Sequence, residues 1–202
     1  PVMNGIMMCK ILKEDVRTSH IPIILLTAKD SLQDKEEGYQ VGADSYLTKP
    51  FSATLLHSRI NNLLESRKRL TERFNTSTPH HNMDEKRALL AESLNKLDNE
   101  FIEKINQLIE ARLSSEKIDI GYLADNMCMS KSTLYRKMKA LTGLSTNEYV
   151  RKIKMQHAER LLLEGRYNIS EVAFRVGINS VVYFRQCFKE EFGVLPSEYL
   201  KQ

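Results

Sequence analysis

The sequence predicts two unlike folds in tandem: a partial, doubly wound α/β unit with too few strands to be complete, followed by an all-α domain containing two helix-turn-helix units. Three observations carry this. Helical and strand patterns alternate over the first seventy-odd residues, as in βα units laid on a parallel sheet. From Met83 onward no strand pattern survives. Within that helical half, "KALTGLSTNEYV" from Lys139 returns as "KEEFGVLPSEYL" from Lys189, an offset of 50.

In order, the first unit reads as a helix over Ile6 to Lys13, an apolar strand at "PIILLTA", a helix ending near "GYQVGAD", a short strand "SYLTK", and an amphipathic helix from Phe51. Parallel strands buried on both faces need more neighbours than each other, so two strands predict a unit that is not stable alone. The N-terminal part of a doubly wound domain is therefore expected to be absent from these residues. The amphipathic helix runs into "ESRKRLTERF" and the polar "NTSTPHHN", which places the inter-domain linker at about 74 to 83 within a connecting region of 74–97. Adjacent His80 and His81 read as solvated rather than metal-binding. Helices are predicted over 84–113, 119–127, 131–141, 146–164, 170–176, 180–191 and 197–201.

The repeat extends beyond its identities at Lys139/Lys189, Gly143/Gly193, Glu148/Glu198 and Tyr149/Tyr199. Leu134 and Met138 pair with Phe184 and Phe188, and after a one-residue slip Leu123, Ala124 and Met127 pair with Val172, Ala173 and Val176. Each copy reads helix, tight turn, helix. The first turns at Cys128 and Met129 with Ser130 as the cap; the second turns at Gly177 with Asn179 or Ser180 as the cap. The second helix of the first copy points Leu134, Met138 and Leu141 inward. Ser132, Tyr135, Arg136 and Lys139 then form one outward row, with Lys131 at the helix start. The matching row is Val182, Arg185, Gln186 and Lys189. Such rows suit a major groove, where Arg reads guanine, Gln reads adenine and apolar groups meet the thymine methyl.

Charge points the same way. Residues 1–114 carry 16 Lys and Arg against 16 Asp and Glu, whereas 115–202 carry 14 against 10. Between Lys131 and Arg160, eight bases (Lys131, Arg136, Lys137, Lys139, Arg151, Lys152, Lys154, Arg160) face two acids, Glu148 and Glu159. This predicts a polyanion partner. A hydrophobic content of 42% supports real cores. The longest apolar run, Ile21 to Leu26, is interrupted by Pro22 and falls far short of the ~18 residues of a membrane span. No P-loop, Ser/His/Asp, Cys/His or metal-ligand constellation occurs, so neither an enzyme nor a cofactor is expected in these residues. Cys9, Cys128 and Cys187 match no CxxC spacing and read as reduced, mostly buried thiols of a cytoplasmic protein. The start at Pro1, without a leader, reads as a fragment.

The segments "SKSTLYRKMKALTG" and "YFRQCFKEEFGVLPSEYL" resemble the DNA-binding domain of the AraC/XylS family of transcription regulators, over residues 98–202. The resemblance implies helix-turn-helix units at 119–141 and 170–191, joined by a helix at 147–164. Their recognition helices would enter successive major-groove segments roughly one turn, ~34 Å, apart. Arg185 followed by Gln186 departs from the small residue and Arg or Lys frequent in that family.

Residues 1–73 resemble the C-terminal part of a flavodoxin-like response-regulator receiver domain, through "PVMNG", "LLTAK" and "YLTKPF". By that resemblance Thr27 bonds the phosphoryl oxygen, Lys49 pairs with the phosphoryl charge, Tyr46 rotates inward on activation, and Lys49-Pro50 is a cis peptide. The phosphoacceptor Asp would lie four residues before Pro1, and the acidic pair for Mg²⁺ is also missing. Mg²⁺ is therefore expected only in a complete receiver.

Together the two resemblances imply a sequence-specific transcription regulator at the output end of a phosphorelay two-component system. It would bind a double-stranded DNA operator as a homodimer and take its phosphoryl group from a histidine kinase domain. The chain is similar to both stand-alone regulators and hybrids that carry the kinase upstream. Two rival readings are a ligand-controlled AraC-type regulator and a helical protein-interaction module.

Overall fold

The computed structural model describes residues 3–28, 31–75, 95–114 and 118–200. Helix α1 (Gly5–Glu14) starts where the Asn4 side chain accepts from the Met7 amide at 2.8 Å. Strand β1 (Ile24–Thr27) follows, then α2 (Leu32–Gln40), capped by Ser31, and β2 (Ser45–Thr48). The strands pair in parallel from Ile24 opposite Ser45 to Thr27 opposite Thr48. Asp44 ties this unit together. Its carboxylate accepts from Lys13 Nζ at 2.7 Å and from the Ile23 amide at 2.8 Å, and lies 3.9 Å from Arg67 on α3 (Ala53–Asn75).

As expected, the sheet is incomplete: among the described residues only β1 and β2 pair. Apolar groups that a full sheet would cover stay exposed, including Met7, Met8 and Ile11 of α1 and Leu26 of β1. The unit leans instead on the helical domain, and Val16 packs against the first of that domain's two cores.

The helical domain comprises α4 (Lys96–Glu110), α5 (Ile120–Asn126), α6 (Lys131–Thr142), α7 (Thr146–Leu163), α8 (Ile169–Arg175), α9 (Val181–Phe192) and α10 (Pro196–Tyr199). Phe101, Ile105 and Ile109 of α4, Leu123 of α5, Leu134 and Met138 of α6, and Tyr149 and Ile153 of α7 build the first core. Further along, α7 gives Met155, Ala158 and Leu162 to the second core, where they meet Val172 and Ala173 of α8, Phe184 and Phe188 of α9, and Tyr199. Each such large apolar side chain stabilises the fold by about 1.5–3 kcal/mol when fully buried. One helix thus belongs to both cores.

The repeated residues have shared jobs. Gly143 (φ 73°) and Gly193 (φ 79°) end α6 and α9 in the left-handed conformation that glycine alone adopts without strain. Glu148 accepts from the Ser145 amide at 2.7 Å, and Glu198 from the Leu195 amide at 3.1 Å, satisfying backbone donors at two helix starts. The buried hydroxyls of Tyr149 and Tyr199 donate to Asn106 and Glu159.

Of the predicted helix 84–113, the described part runs over 96–110, and the chain turns at Ala111. The linker at 74–83, with His80 and His81, lies outside the described residues apart from the end of α3. Other helix ends fall within one or two residues of expectation.

Candidate nucleic-acid interface

Both helix-turn-helix units turn in the same way. After α5, the Cys128 amide donates to Asp125 O at 3.0 Å and the Met129 amide to Ala124 O at 2.9 Å. After α8, the Gly177 amide donates to Phe174 O and the Ile178 amide to Ala173 O, each at 2.9 Å. This pair of bonds satisfies the last carbonyls of a helix and needs a positive φ at the residue between. Cys128 (φ 53°) and Gly177 (φ 66°) supply it. Ser130 then caps α6, accepting from the Thr133 amide, and Ser180, rather than Asn179, caps α9, accepting from the Tyr183 amide.

The two second helices present their rows outward. Lys131, Ser132, Tyr135, Arg136 and Lys139 of α6 are exposed, as are Val182, Arg185, Gln186 and Lys189 of α9. Their opposite faces are anchored by Leu134 and Met138, and by Phe184 and Phe188, all 0% exposed. The rows differ electrostatically. On α9, Gln186 donates to Glu190 at 3.1 Å, and the same carboxylate lies 3.4 Å from Arg151 of α7. The second row is therefore less positive than the first.

In the α/β unit, Thr27 and Thr48 end the two strands side by side, and the Lys49 amide donates to Thr27 O at 2.6 Å. Lys49 is exposed and the Lys49-Pro50 peptide is cis. Both strands open their carboxyl ends on this edge, where open α/β sheets bind ligands. Tyr46 faces inward, buried beside Gly38, where an added Cβ would come within 2.9 Å of its ring.

Residues 1–61 match the response regulator receiver domain family, and residues 123–202 match a helix-turn-helix domain family. The chain joins a receiver-domain segment to an AraC-type helix-turn-helix domain. It is 35% identical over 199 residues to histidine kinase P4 of Formosa agariphila, covering 98% of this chain and 14% of that protein. Over 63 residues it is 51% identical to the heme response regulator HssR of Staphylococcus saprophyticus, covering 31% of this chain and 27% of that protein. Over 99 residues it is 32% identical to the DNA-binding dual transcriptional regulator Rns of Escherichia coli, covering 49% of this chain and 37% of that protein. The chain thus spans about a seventh of the first relative and well under half of the other two.

One expectation about the AraC-type domain needs correction. Three of the eight bases counted between Lys131 and Arg160 are internal: Lys137, Lys152 and Lys154. Lys152 meets Glu191 at 2.9 Å, locking α7 to α9, and Lys154 donates to the carbonyl of the turn residue Gly177 at 3.2 Å. Lys137 is 0% exposed and pairs with Asp98 of α4. Burial pushes its ammonium below the ordinary lysine range and the Asp98 carboxylate pushes it back up. These three charges hold the fold together, so the outward positive charge of that stretch comes from Lys131, Arg136 and Lys139 on α6 and from Arg151 and Arg160 on α7, and Arg185 and Lys189 add to it on α9. Of the three cysteines, Cys9 and Cys187 are buried and Cys128 is exposed at its turn.

Sequence reasoning missed the Lys137–Asp98 pair and its neighbour Ser19. The signal was present: Lys137 lies three residues after inward Leu134, and at an offset of 50 the second copy carries buried Cys187. Among the described residues no helix is long and apolar enough to cross a membrane.

Proposed function

We propose that this chain is the output end of a phosphorelay two-component system, a sequence-specific transcription regulator that reads a double-stranded DNA operator with α6 and α9. The observation that carries this reading is the pair of exposed rows, each anchored from behind by a buried core and each held in a helix-turn-helix turn. Arg136 has the planar fork for guanine, Val182 suits a thymine methyl, and Gln186 can turn from Glu190 to adenine. Lys131, Lys139 and Lys189 supply phosphate contacts. The protein reads its operator as a homodimer. In a complete receiver, Thr27 and Lys49 would hold a phosphoryl group delivered by a histidine kinase domain, with Mg²⁺ bound in that receiver. The 202 residues here bind and position; catalysis of phosphoryl supply belongs to the donor.

Selection of bound sequences from random duplexes, followed by gel shift, tests this. Arg136→Ala should weaken binding to the selected site by about 1–3 kcal/mol, roughly 5- to 150-fold, and relax preference at one base pair. Affinity should fall steeply with salt as counterions return to the phosphates. An Arg136→Ala protein with unaltered affinity and preference would remove α6 from the groove. A flat salt dependence would point to a protein partner.

A further inference from the structure

We infer that residues 15–21 of the loop between α1 and β1 form the surface on which the first helix-turn-helix unit docks. Through that docking the receiver segment orders recognition helix α6 from behind and strengthens its hold on DNA. The docking half stands on geometry alone; the second half rests on the DNA-reading function proposed above.

A lysine ammonium has three N–H donors. Lys137 Nζ, buried in the first core, has three acceptors: the Asp98 carboxylate, the Ser19 hydroxyl at 2.8 Å and the Val16 carbonyl. Two of those three belong to the receiver loop. Ser19, itself 0% exposed, also donates to Asp98 at 2.7 Å, and its carbonyl accepts from Asn95, the residue that caps α4. The Val16 side chain packs into the first core, and on the receiver side Arg67 of α3 donates to the His20 carbonyl. The loop is gripped from both domains.

The docked face and the reading face of α6 are different faces. With the loop in place, Ser132, Tyr135, Arg136 and Lys139 remain exposed, so docking leaves the DNA row open. A recognition helix ordered before DNA arrives loses less freedom on binding. The coupling is reciprocal, so DNA on α6 tightens the loop as the loop tightens α6. It addresses the first unit alone: the position equivalent to Lys137 in α9 is Cys187, which has no ammonium to satisfy.

The test uses the 202-residue chain with Ser19→Ala and the conservative Ser19→Thr. Amide hydrogen exchange is followed helix by helix, and affinity for the selected duplex is measured at several salt concentrations. Ser19→Ala should raise exchange in α6 at least fivefold while α9 stays within twofold, and should weaken DNA binding three- to tenfold with the salt slope unchanged. Ser19→Thr, which keeps the hydroxyl, should restore both. Exchange in α6 within twofold of the unaltered chain overturns the docking, as does an equal rise in α6 and α9. A rise in α6 exchange without weaker DNA binding overturns the coupling to DNA. If the unaltered chain selects no duplex at all, the proposed function fails, and the exchange measurement still decides the docking.

Discussion

Cys128 occupies a backbone conformation that side chains with a Cβ resist. Its φ of 53° is the left-handed value required by the turn, and the second unit fills the same place with Gly177. The left-handed region costs an L-residue roughly 1–2 kcal/mol, part of which glycine gives back through its greater freedom in the unfolded chain. Cys128→Gly should therefore stabilise the protein by about 0.5–1 kcal/mol, read as a higher urea midpoint with unchanged slope; a lower midpoint would show that the thiol makes a contact worth more than the strain. His20 is the opposite case, a buried ring whose Nδ1 has no hydrogen-bond partner among the described residues. Burial, with Lys137, Arg67 and Lys13 nearby, lowers its pKa to about 4 against the counter-pull of Asp98. The folded state thus favours the neutral ring. Its contribution is complete above pH ~6.5 and disappears as pH falls toward 4. Stability should drop by about 2 kcal/mol between pH 7 and pH 5, and His20→Gln should flatten that slope; parallel slopes in the two proteins would assign the acid sensitivity elsewhere.

At the scale of elements, α4 and α6 share the first core and are joined within it by one buried ion pair, Lys137 with Asp98. Removing one partner from such a pair strands the other without a counter-charge, which costs about 3–5 kcal/mol, whereas removing both is far milder. Asp98→Ala should accordingly destabilise the domain by that amount, and adding Lys137→Met should recover most of it in the same denaturation measurement. Equal losses for the single and double variants would show that the pair contributes packing only. This joint also marks the limit of what the sequence discloses. Leu134, Met138 and Leu141 declare their inward direction through local periodicity, and Gly143 and Gly193 declare helix ends because only glycine suits the φ. The spacing of Lys137 from Leu134 marks an inward position, but its partners stand 39 residues away at Asp98 and 118 away at Ser19. Nothing local names a partner at that distance. The outward rows of α6 and α9 were legible for the same reason as the cores, and the size of the basic surface was not, because Lys152 and Lys154 are consumed by contacts between helices.

Across the whole molecule, an incomplete two-stranded unit keeps its structure by sharing a loop with a domain of another class, and the two helix-turn-helix units are held by a helix common to both cores. That helix, α7, has 18 residues, about 27 Å at 1.5 Å per residue. Because Tyr149 and Ile153 are embedded at one end and Met155, Ala158 and Leu162 at the other, α7 cannot bend between the units without opening a core. On the proposed function, the protein is a rigid gauge for the operator's helical phase. Five base pairs inserted between the two contacted segments should reduce binding to that of a single segment. Ten should not rescue it, since the segments then share a face but lie ~34 Å further apart, beyond the reach of a fixed 27 Å spacer. Recovery at ten in a gel-shift series would show that the units move independently. Operators of this protein should therefore tolerate changes of base within the gap far better than changes in its length.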